Sequence, residues 1–223
     1  MKYLIFDSGP LINFSMNGIL YLLRDLKKIF PGKFLITKEV KKEVIDYPET
    51  IKRFELAALQ LNKLIKEGVI ELLELNESQA KEFEKIKNNL KNTANNCFKT
   101  KKQFIHLIDE GELASLALSK FIKESNLIVV DERTTRMLCE NPENLKELLQ
   151  KKLHSKVLAN KDSYSIFKDF KIIRSSELIY FASKKNLLNL KDPRALEAML
   201  YGIKYHGCAI SEREIKEMQK IKK

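Results

Sequence analysis

Four acids fall where their chemistry would be useful. Asp7 ends the apolar run Tyr3-Leu4-Ile5-Phe6, and Asp131 ends Leu127-Ile128-Val129-Val130. Glu43 lies in Glu39-Val40-Lys41-Lys42-Glu43, and Glu112 in Asp109-Glu110-Gly111-Glu112-Leu113-Ala114. Continuous apolar runs read as buried parallel strands. Ligands of an open parallel sheet sit beyond the carboxyl ends of such strands. Carboxylates gathered there raise one another's pKa, and a divalent cation relieves the repulsion. Ligands that are all oxygen favour Mg2+ or Mn2+ over zinc. A metal of that kind lowers the pKa of a bound water and stabilises a leaving oxyanion. The chemistry expected is hydrolysis of a phosphodiester.

Each acid also has a structural reading. Asp7 can start the turn Ser8-Gly9-Pro10, and Glu43 can sit on a salt-bridged helix face. Asp109 with Glu112 matches an N-cap and its partner acid three residues on. Asp131 can cap the helix that follows it. The functional case rests on the four together.

The elements that must position them follow from periodicity and punctuation. Strands are expected at 3–7, 34–36, 69–73, 127–131 and 170–174. Helices are expected from Pro10, at 19–26, 38–46 (capped by Thr37), 50–66, 77–91, 110–124, 133–140 and 143–153. Later helices begin at Ser176, at Asp192-Pro193 and at the capping box Ser211-Glu212-Arg213-Glu214. Residues 92–104 read as a connector. Strands alternating with helices predict an α/β fold with a parallel five-stranded sheet covered on both faces. No Gly/Ser- or Pro-rich linker divides the chain. The organisation expected is therefore a domain at 1–175, with a basic insert at about 77–104, and a helical C-terminal extension at 176–223 packed on it.

The 223 residues carry 41 Lys and Arg against 30 Asp and Glu, a net charge of +11 that attracts polyanions, nucleic acid first. A Lys-rich proteome would give the same balance. Six lysines and no acid lie between Lys85 and Lys102, the most one-sided stretch of the chain. Cys97, Cys139 and Cys208 are far apart and fit free thiols in a reducing compartment. No apolar stretch is long enough to span a bilayer. The early strand at 3–7 leaves no room for a signal peptide, so the expectation is a cytoplasmic protein with no membrane partner.

The joint pattern resembles the PIN-domain family of metal-dependent nucleases. Met1–Leu23, with Asp7, Ser8, Pro10-Leu11-Ile12 and Asn13, looks like the family's first strand and helix. Ile36–Val44 is similar to the strand and helix that carry its second acid, at Glu43. Gly111-Glu112-Leu113-Ala114-Ser115-Leu116-Ala117 resembles the Gly-Glu-x-x-Ala-x-x-Ala helix of one branch in its Gly-Glu start and small residues, with Ser115 at the first Ala position and Leu118 at the second. Val129–Arg136 looks like the strand-end acidic pair with a basic helix after it. The resemblance covers residues 1–140 by motif and 172–218 more loosely. It implies a three-layer α/β/α sandwich with strand order 3-2-1-4-5, and cleavage of single-stranded or structured RNA with Mg2+ or Mn2+. Asp7, Glu43, Glu112 and Asp131 would be the metal ligands. Ser8 and Asn13 would orient them, while Asp109 and Glu132 would be alternative ligands.

Arg133 and Arg136, just past Asp131, are candidate phosphate contacts, as are Lys99, Lys101 and Lys102 in the insert. Phe98, Phe104 and Tyr164 are expected in the core rather than stacked on bases. The insert and the tail depart from small toxin-type members, so a paired antitoxin is not indicated. A homodimer is expected, with Leu187, Leu188, Leu190, Leu196, Met199, Leu200 and Ile203 as either its surface or part of the core. Two other readings compete. Phe6-Asp7-Ser8-Gly9 is compatible with a haloacid-dehalogenase-like phosphatase, but Gly9 stands where its general acid is needed. A PIN-like protein without catalysis would bind RNA as a scaffold.

Overall fold

The structure is a computed structural model that describes residues 2–221. Five parallel strands form the main sheet: β1 (Tyr3–Phe6), β2 (Lys33–Ile36), β3 (Glu71–Leu72), β5 (Asn126–Val129) and β7 (Ile172–Ile173). Their order is β3-β2-β1-β5-β7. Counted along the chain within this sheet alone, that is 3-2-1-4-5. The strands alternate by residue. Leu4, Phe6, Phe34, Ile36 and Val129 point into one core, and Ile5, Leu35, Ile128 and Val130 into the other. Both faces are thus apolar, as a parallel sheet between two helical layers requires.

On the first face lie α1 (Ser8–Met16), α2 (Tyr21–Ile29), α3 (Lys38–Lys41), α4 (Glu55–Lys66), α9 (Ser175–Lys184), α10 (Ala195–Tyr205) and α11 (Glu212–Lys220). The second face holds α5 (Glu77–Asn95), α6 (Glu110–Phe121), α7 (Arg133–Glu140) and α8 (Pro142–Leu153). Leu196, Met199, Leu200 and Ile203 are buried in the same cluster as Phe6. They complete the core and do not form a free dimer surface; of that group only Leu190 is well exposed. No helix among the described residues is long and apolar enough to cross a membrane.

Several elements differ from expectation in ways that matter locally. The helix at 38–46 begins as α3 but widens into a π-turn over Lys42–Asp46, where the Tyr47 N–H bonds the Lys42 carbonyl five residues back. The expected helix at 50–66 starts only at Glu55, after a short 3-10 turn at Pro48–Thr50. The connector 92–104 is partly ordered: α5 runs on to Asn95, and β4 (Phe98–Lys99) pairs antiparallel with β6 (Leu158–Ala159). Ser176 does not cap α9. The Glu177 carboxylate does so instead, accepting the Arg174 N–H at 2.8 Å. Helix α10 starts at Ala195, because Asp192 caps a turn at Arg194 rather than the helix.

Candidate active site

Eight of the residues singled out from the sequence line one cavity of about 490 Å3: Asp7, Ser8, Asn13, Glu43, Asp109, Glu112, Asp131 and Glu132. Asp7 and Asp131 arrive from adjacent strand ends, since β1 and β5 pair with Phe6 opposite Val129. The Asp7 N–H donates to the Val129 carbonyl at 3.0 Å, which locks the two ends together. Glu43 comes from the π-turn after β2, and Glu112 from the first turn of α6.

The acids are held differently. Asp131 is buried and well supplied with donors: the Ser175 N–H at 2.8 Å, the Ser175 hydroxyl at 2.7 Å and the Asn13 amide at 2.5 Å. Asp7 caps α1 with one oxygen, at 3.4 Å from the Gly9 nitrogen, while its Oδ1 is buried with no partner among the described residues. Glu112 accepts the Asp109 N–H at 3.1 Å on Oε2, while its Oε1 is buried with no well-formed hydrogen bond among the described residues, the Thr135 hydroxyl being the group near enough to hold Glu112 down. The capping-box role read from the sequence therefore uses half of Glu112. Asn13 Oδ1 is another buried oxygen of this site without a donor among the described residues. Burial raises Asp7 to about 7, with the charges of Glu43 and Asp131 adding to it. Burial raises Glu112 to about 8, and Asp7 adds to that. Among the described residues these orphaned acceptors, two of them on buried acids, have no positive partner.

Glu43 owes its place to a glycine. A Cβ at Gly111 would lie 2.7 Å from both Glu43 carboxylate oxygens. Asp109 and Glu132 stand at the rim, both exposed, and Glu132 caps α7 by accepting the Thr134 N–H at 3.0 Å. Arg133, Arg136 and Lys99, Lys101 and Lys102 are not among the residues lining the cavity. Arg133 is exposed, and Arg136 lies 3.9 Å from Glu140. Sequence reasoning missed Ser175, and also His206 and Gly207, which form part of the wall. Ser175 lies just past the expected last strand at 170–174, at the same end of the sheet as Asp7 and Asp131, the one signal that pointed to it.

Among the described residues, no group of three or more His, Cys, Asp or Glu side chains is arranged to cage a metal ion. The fit is to an ion that keeps much of its water. Mg2+ takes one or two carboxylates and retains several waters, which suits an open cavity with unpaired oxygens from Asp7, Glu112 and Asn13. No protein-family model matches the chain, and no curated protein matches it at a significant level.

Proposed function

We propose that the chain is a divalent-metal-dependent nuclease that hydrolyses RNA. Asp7, Glu43, Glu112 and Asp131 would surround a hydrated Mg2+ or Mn2+, one or two of them as direct ligands and the others through its waters. One observation carries this reading: four acids from four separate segments line one cavity, with buried, unpaired oxygens on Asp7 and Glu112. Such an ion, when bound, supplies an activated water and neutralises charge on the leaving oxygen. Asp131, fixed by Ser175 and Asn13, is the rigid ligand of the set. Asp7 and Glu112 hold their protons near neutrality without metal and must release them to ligate. Arg133 and the Lys99–Lys102 region are the phosphate contacts in this reading, aided by the +11 charge of the whole chain.

The test is cleavage of a labelled mixed-sequence RNA with Mg2+, with Mn2+ and with chelator. Wild-type protein should cut only with metal. Asp7→Asn should fold and bind RNA but lose cutting. Unchanged cleavage by Asp7→Asn would sink the assignment. A second reading, a binding protein without catalysis, is favoured by the capping roles of Asp7, Glu112 and Glu132, which give each a structural use. Salt-sensitive binding with no cutting under any metal would support it.

A further inference from the structure

The ribbon built by β4 and β6 presents a second constellation, away from the acids. Phe98 is buried and packs on Tyr164 with ring centroids 5.8 Å apart, which anchors the ribbon to the core. The chain then turns tightly. Thr100 and Gln103 bond through their backbones at 2.9 Å, and the Thr100 hydroxyl accepts the Lys102 and Gln103 N–H groups at 3.2 Å. Lys101 and Lys102 are thereby held at the tip. Phe104 comes back beside Lys99, with the Lys99 ammonium 5.8 Å from its ring centroid.

Phe104 does not join the core, contrary to expectation: it is 54% exposed, and Leu158, on the other side of Lys99, is 44% exposed. A cavity of about 420 Å3 lies here, lined by Phe104, Leu158, Lys99, Asn96 and Asn160, and by no acid. Lys99, Lys101 and Lys102 make no ion pair among the described residues, whereas Lys87 and Lys91 of the same basic stretch are paired with Glu39 and Glu110. An aromatic face, two amides and three unpaired ammonium groups match the three parts of a nucleotide. A ring stacks on a base, amides bond its edges, and lysines meet phosphates.

We propose that Phe104 is a stacking platform for a base of single-stranded nucleic acid, with Lys99, Lys101 and Lys102 on the flanking phosphates. This rests on the reading that the substrate is a nucleic acid, and it names where the strand runs. Phe104 lies five positions before Asp109 of the cavity rim, so their Cα atoms are at most about 18 Å apart. One strand can reach both.

The chain contains no Trp, so Phe104→Trp introduces a single indole at the platform. Titrating this variant in chelator with a short single-stranded RNA should quench its emission saturably, because stacking on a base quenches indole fluorescence. Binding read by anisotropy should loosen about 5- to 150-fold in Phe104→Ala and be retained in Phe104→Trp. Circular dichroism should show both variants folded, since the ring is largely outside the core. Unchanged emission at saturating RNA, or wild-type affinity in Phe104→Ala, overturns the platform. Quenching without metal-dependent cutting keeps the platform and removes the nuclease. Cutting without quenching does the reverse, and neither binding nor cutting removes both.

Discussion

Asp7 and Glu112 make stability depend on pH in a direction opposite to most surface acids. Their folded pKa values, about 7 and about 8, lie above ordinary values of 3.8 and 4.5. The folded state thus binds protons more tightly than the unfolded chain. This contribution is full below about pH 4 and is lost as pH rises through about 8. Metal-free protein should therefore lose thermal stability between about pH 5 and 8, a decline that Asp7→Asn should reduce. At pH 8, Mg2+ should restore stability by about 2.7 kcal/mol at a hundredfold excess over its Kd. Melting curves with and without chelator check this; a flat profile with no magnesium response would remove the site. Gly111 offers a cleaner separation of fold from function. Gly111→Ala places a methyl 2.7 Å from the Glu43 carboxylate, the movable end of a side chain. Helix propensity gains about 0.5–1 kcal/mol, and Glu43 must swing away. Cleavage should fall while the melting temperature holds or rises. A variant with full activity would show that Glu43 is not needed where it stands.

Arg174 fastens elements that the sequence leaves far apart. It is buried at the junction of β7 and α9, pairs with Glu177 and with Glu214 of α11, and donates to the Ala209 carbonyl at 2.8 Å. The Ala209 N–H in turn donates to the Asp131 carbonyl at 3.1 Å, so the clamp braces the cavity wall. Burial alone would raise Glu214, but hydrogen bonds from Ser211 and Arg174 bring it down to about 2. Its contribution is present above its ordinary 4.5 and is lost as pH falls through about 2. Arg174→Met leaves two carboxylates without their cation. Their partial exposure puts the expected cost at about 2–3 kcal/mol, under the 3–5 typical of fully buried pairs. A shift of the urea midpoint measures it, and no shift would show that the clamp is idle. Nothing in the residues around Arg174 announced this role, because its partners are set by how α11 folds back. Local signals fared better. Thr37 caps α3 and Ser211 with Glu214 forms a capping box, each within three residues of its partner. The π-turn at Glu43 and the β4–β6 ribbon were not legible. One is a register choice inside a helical pattern, and the other joins residues about sixty positions apart.

The whole molecule sets a cluster of acids inside a basic envelope, and the two were legible from the sequence to different degrees. Apolar runs fixed where Asp7 and Asp131 fall, because a parallel strand buried on both faces has little freedom of register. The donors that hold Asp131 were half legible: Asn13 sits two turns into the helix after Asp7, while Ser175 comes from a distant segment. The net charge of +11 could not be localised from composition alone. In the fold, Lys99, Lys101, Lys102 and Arg133 are exposed and without ion pairs among the described residues, whereas Lys87 and Lys91 are paired. If those four cations meet phosphates, counterion release gives a slope of log affinity on log salt of about −3 for a single strand. Raising KCl from about 50 to 200 mM should then weaken RNA binding about 50-fold. Replacing Lys101 and Lys102 together by Ala should make the slope shallower by about 1.4. Stability should answer to the same salt in the other sense. Screening reduces the repulsion among excess lysines, so the melting temperature should hold or rise. Binding lost in step with the melting temperature would mean that salt acts on the fold. Binding that ignores salt would mean that the basic surface plays no part in recognition.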